Sequence, residues 1–193
     1  MRKLTVDDIA DHRAYERERD EFRRRIIDLK RRRRVALGDL LSIVFENTDT
    51  MRWQVQEMAR AERMLSDDAI ATEVATYNEL IPDAGELSGT LFVELTDDTM
   101  LREWLPKLVG VEHHVHFRFA DGSRVDAVPE DEERLTRVDV TATVHYLKFR
   151  FSEAQQARFA DTGVRIAVDH PDYAVDVTLT DEQRAELARD FAE

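Results

Sequence analysis

The spacing of apolar side chains changes part-way along this chain, and that change limits the folds open to it. Up to Pro82 apolar residues recur at helical spacing: Tyr15, Phe22, Ile26 and Leu29 form one stripe, and Met51, Val55, Met58 and Leu65 another. Beyond that point the apolar residues gather in short runs or alternate, as in Gly89–Leu95 and Val111–Phe119. A helical half followed by a strand half points to an α+β fold, with N-terminal helices packed on a mostly antiparallel sheet. No linker or internal repeat interrupts the chain. Residues 1–193 therefore read as one domain, helix-rich over 1–82 and strand-rich over 83–193.

Local signals set the expected boundaries. Thr5 caps a short first turn, and a long helix spans about 12–36 and stops at Gly38. Leu40–Glu46 reads as a buried strand. Helices follow over about 50–65, capped by Thr48 or Asp49, and about 67–80, ended by Pro82. Asp97–Leu108 is a short helix containing Pro106, and Asp121-Gly122 marks a hairpin with a short strand near Val125. Residues 129–137 form an acidic loop, and Thr141–Phe151 a long strand. Ser152/Gln155 and Thr180/Gln183 are capping boxes that open two more helices. Between those boxes, strands over about 164–168 and 173–179 flank a His170-Pro171-Asp172 turn.

Composition excludes several functions. Cys is absent, which removes disulfides, thiolate nucleophiles and Cys-ligated metal sites. The six glycines form no phosphate-cradling loop, and the GxSxG, HExxH and ExxH patterns are missing. A non-catalytic role is therefore expected. No apolar run approaches the ~20 residues a membrane span needs, and the N-terminus has no apolar signal core, so the cytoplasm is the expected compartment.

Charge is unevenly spread. The chain carries 28 Lys+Arg against 41 Asp+Glu. Residues 23–34 hold eight positive charges and one negative, so +7, which leaves 20 positive and 40 negative, or −20, for the remainder. On a helix, four successive residues fan through about 300°, so Arg31–Arg34 cannot share one solvent face. At least one of them must turn inward toward a carboxylate. Arg31, Arg32 and Arg34 are the candidates for meeting an acidic partner, whereas phosphate backbones would be repelled by the −20 remainder.

Strand alternation places His113 with Val111, Val115 and Phe117, and places Glu112, His114, His116 and Arg118 on the opposite face. His145 shares a face with Leu147 and Phe149, and His170 with Ile166 and Val168. Glu62 falls on the centre line of the second apolar stripe. If the three strands are neighbours, His113, His145, His170 and Glu62 could form an interior site for non-haem iron or zinc. The competing reading is that these are core side chains bonded to backbone carbonyls or arginines.

Several strings also resemble a known family: FENTDTMRWQVQEMARAER (45–63), YNELIPD (77–83), LVGVEHHVHF (108–117), HYLKF (145–149) and VDHPDY (168–173). Together with MRKLTVDDI and the arginine-rich helix, they resemble the bacterial domain of unknown function 3501 along essentially the whole chain. The resemblance implies no reaction. It implies company, since such proteins are often encoded beside rubrerythrin-like and heterodisulfide-reductase-like iron–sulfur proteins. The expectation is an accessory protein supporting iron or peroxide redox metabolism through protein contacts, with a rubrerythrin-like or iron–sulfur partner. The alternative is a small metalloprotein, and it could be an enzyme.

Overall fold

The computed structural model describes residues 1–130 and 140–192. Helix α1 (His12–Arg33) starts where Asp11 accepts the Ala14 amide, at 2.9 Å, and ends in four basic residues that suit its negative pole. It buries Tyr15, Phe22, Ile26 and Leu29, the stripe expected from spacing, together with Arg33. The expected helix was too long. Its last residues form strand β1 (Arg34–Leu37), which turns at Gly38 into β2 (Leu41–Glu46). The β-branched Val35 and the pairing of Arg34–Leu37 with β2 outweigh continued helix there.

Asn47 and Thr50 cap α2 (Thr48–Ala61) reciprocally, and Ser66 caps α3 (Asp67–Asn78). Between them Arg63 takes the left-handed conformation, φ +54°, and the Met64 amide returns to Ala59 O at 2.9 Å. That tight stop ends the apolar stripe early, so Leu65 is 86% exposed. Trp53 of α2 packs edge-on against Phe22 (5.3 Å) and Tyr15 (6.3 Å) of α1. Met51, Val55, Val74, Ile81 and Leu4 make a second small cluster.

The strand-rich half supplies β3 (Glu86–Val93), β4 (Val115–Arg118), β5 (Arg124–Glu130), β6 (Val144–Arg150), β7 (Arg165–His170) and β8 (Tyr173–Thr178). The sheet order is β1-β2-β3-β6-β5-β4-β7-β8, and every pairing among the described residues is antiparallel. The fold is α+β. β5 continues through Pro129 and Glu130, where an acidic loop was expected; the rest of that loop, up to 137, lies outside the described residues.

The sheet curls until its end strands almost meet. No ladder joins β1 to β8. Instead the Tyr173 hydroxyl donates to Leu37 O at 2.6 Å, and Gln183 Nε2 donates to Arg34 O at 2.8 Å. Gly38, with φ +71°, lets Tyr173 approach: a Cβ there would lie 2.2 Å from the hydroxyl oxygen. The inward face is packed with apolar side chains, including Phe45, Phe117 and Phe149, whose rings lie 5.0–6.1 Å apart. Helices α4 (Asp98–Lys107), α5 (Glu153–Arg158) and α6 (Asp181–Leu187) complete the described helices. Phe159 and Phe191 stack on Phe151 at one end of the curled sheet, and Trp104 of α4 meets Tyr173 at the other. Outward positions of β2 and β3 are buried, whereas those of β5 and β8 alternate to solvent.

Candidate functional site

The arginine run divides between two elements, with Arg31–Arg33 closing α1 and Arg34 opening β1. Arg33 is the inward member, only 1% exposed. Its guanidinium pairs with Asp190 through both Nη atoms, reaches Glu186 Oε1 at 3.4 Å, and donates to Phe45 O (2.8 Å) and Glu46 O (3.2 Å). It thereby ties the end of α1 to strand β2 and to the C-terminal segment. The acidic partner is not Glu62, which is exposed.

The candidates for an external acidic partner are all engaged within the chain. Arg31 pairs with Asp28 at 3.2 Å, and Arg32 with Asp28 and with Glu186 at 3.3 Å. Arg34 pairs with Glu94, donates to Ser42 Oγ at 2.9 Å and lies over the Phe92 ring at 5.5 Å. One to two turns earlier the face of α1 is different. Arg23 and Arg24 are exposed and have no partner among the described residues, and beside them Ile27 is 55% exposed.

The proposed histidine cluster does not assemble. Gly110 adopts φ +86° and a 3-10 turn over Val111–His113 shifts the strand's phase, so β4 begins only at Val115. Glu112 is therefore buried and His113 exposed, the reverse of the alternation expected from sequence. His145 does point inward. Its Nε2 lies 3.0 Å from Ala142 O and 2.9 Å from Thr141 Oγ1, and its Nδ1 is 3.7 Å from Glu112 Oε2. Burial lowers the His145 pKa, against the opposing pull of the Glu112 carboxylate.

His170 is also buried, but its Nε2 donates to Val109 O at 3.1 Å and its Nδ1 accepts from the Asp172 amide at 3.2 Å. Both ring nitrogens thus serve the fold. Glu62 caps the end of α2 in solvent, because the helix stops before the stripe reaches it. Among the described residues no group of three or more His, Asp or Glu could hold a metal ion. His113, His145, His170 and Glu62 do not fit a shared iron or zinc ion.

Comparison with known proteins agrees with this geometry in being silent on chemistry. A family model described as "Protein of unknown function (DUF3501)" matches residues 3–191. The chain belongs to this family. A crystal structure described as a novel protein of unknown function from Burkholderia pseudomallei K96243 shares its fold. That structure is 33% identical, has a TM-score of 0.90, and is matched over 98% of this chain and 99% of that one. The search of curated proteins gave no match. The family assignment therefore rests on sequence and fold together.

Proposed function

We propose that this protein is a non-catalytic accessory protein of the cytoplasm that acts by docking an acidic partner on the exposed face of α1. One observation carries the reading: Arg23 and Arg24 stand exposed without a partner among the described residues, beside the exposed Ile27. Arg25 lies over the Phe22 ring, and Arg31–Arg34 are spent on the chain's own carboxylates. Two free guanidinium groups flanking an apolar side chain suit an acidic helix or loop carrying one apolar residue. Such a surface steers encounter and selects partners by charge. Packing of the inward sheet face with phenylalanine leaves the surface as the place where contacts are made. The partner class follows from the family's usual company, a rubrerythrin-like or iron–sulfur protein of iron or peroxide metabolism. Affinity capture from the source organism under reducing conditions tests this. Wild-type protein should retain such a partner, in a salt-sensitive way, and the Arg23→Glu/Arg24→Glu variant should lose it. Recovery of no redox partner, or equal recovery by the variant, overturns the reading.

A further inference from the structure

The part of the sheet that the helices leave bare carries an arrangement that packing does not require. Strand register sets Arg124 of β5, Arg118 of β4 and Arg165 of β7 directly opposite one another across three adjacent strands. Like charges in that relation destabilise a sheet. Three aspartates offset them. Asp169 takes Arg124 Nη1 at 2.8 Å, Asp126 takes its Nε, and Asp176 takes Arg165 Nε at 2.5 Å and Arg118 Nη1 at 3.3 Å. The next row along the strands reads Asp126, His116, Ala167 and Asp176. The small Ala167 and Ala174 leave space above the sheet, a cleft of about 380 Å³ lined also by His116, Arg118, Arg124 and Asp169.

His116 lies at the centre of this row with its side chain 2% exposed. Its Nδ1 is 3.4 Å from His114 O and 3.9 Å from Asp169 Oδ2, two groups that only accept hydrogen bonds. A neutral imidazole there carries its proton on Nδ1, which leaves Nε2 as an acceptor. No group among the described residues meets Nε2. Burial, and then the nearby Arg124, lower the His116 pKa and keep the ring neutral. Arg118 is 56% exposed in its side chain and makes one long bond, so most of its N–H groups remain available.

We propose that this cleft binds a small oxyanion that carries its own hydroxyl, with inorganic phosphate as the simplest member of that class. Arg118 and Arg124 donate to the anionic oxygens, as guanidinium groups do in phosphate sites. The hydroxyl of hydrogen phosphate donates to His116 Nε2. Sulfate matches the size and charge but has no proton to give, so the histidine discriminates between the two.

The test is a titration of the full chain at neutral pH and constant ionic strength with inorganic phosphate or with sulfate. Binding is read by calorimetry and by the nitrogen resonances of the histidine rings. Phosphate should shift the His116 Nε2 resonance and bind at least tenfold more tightly than sulfate. Arg118→Gln, an exposed change that leaves the core intact, should weaken phosphate at least tenfold. His116→Gln should bring the two anions to similar affinity. Equal binding of both anions by the wild type, binding of neither, a free-state His116 protonated on Nε2, or an Arg118→Gln variant with unchanged affinity overturns the proposal.

Discussion

Replacing Arg33 by methionine isolates the contact that joins the two ends of the chain. The change keeps an unbranched stem and removes a guanidinium that is 1% exposed. Asp190, whose side chain is 2% exposed, loses both its Nη contacts, and the Phe45 and Glu46 carbonyls lose their side-chain donor. Glu186 is affected less, because Arg32 and Arg189 each remain 3.3 Å from its Oε2. Breaking one side of a buried ion pair costs about 3–5 kcal/mol, since the remaining charge stays desolvated. For a chain of this length each kcal/mol lowers Tm by ~2–4 °C, so Arg33→Met should melt about 6–20 °C below wild type. Urea unfolding followed by fluorescence gives the free energy, with Trp53 reporting the helical layer and Trp104 the sheet. The double variant Arg33→Met/Asp190→Leu removes both charges and should recover at least half of it, as a double-mutant cycle would register. A single-variant loss below about 1 kcal/mol, or strictly additive effects, would show that the pair does not hold the fold in this way.

Two further outcomes follow from named side chains. The folded His145 pKa is lowered below the unfolded value of about 6.5, so the unfolded chain binds the proton first. The stability this neutral histidine preserves is present above about pH 6.5 and is lost as pH falls through that value, with a slope of at most ~1.4 kcal/mol per pH unit. His145→Gln should flatten the pH dependence measured by urea unfolding between pH 7 and 5. Arg63 sits at φ +54°, where an L side chain is strained, so Arg63→Gly should raise the free energy of unfolding by about 0.5–1 kcal/mol. Urea unfolding of that variant at neutral pH checks the sign.

The layers and most elements were legible because their signals are local. The Ser152/Gln155 and Thr180/Gln183 capping boxes open α5 and α6 as expected. The stripe on α1 is buried as its spacing requires, and Arg33 turns inward because it continues that stripe one turn beyond Leu29. What failed depended on partners distant in sequence. β1 exists because β2 pairs with it, and Val35 is the one local sign of a strand within Arg34–Leu37. The histidine phase slipped at Gly110, whose left-handed conformation becomes visible only once the Val111–His113 turn has formed. Glu62 left the interior because Arg63 stops α2 without a glycine to signal it. The row of Arg124, Arg118 and Arg165 is a product of register, so the sequence offered only the outward alternation of His114, His116 and Arg118.

Closure by Tyr173 has a consequence for the chain's life in a crowded solution. β1 and β8 are edges of an eight-stranded sheet, and each has backbone amides and carbonyls on the side where no strand pairs. Such edges are templates on which another copy can add a strand, a usual beginning of aggregation. Here the two edges face each other: the Tyr173 hydroxyl of β8 reaches Leu37 O of β1 at 2.6 Å, and Gln183 of α6 covers Arg34 O of β1 at 2.8 Å. Each edge thus screens the other. Two side-chain hydrogen bonds keep this face of the molecule from offering itself to its neighbours.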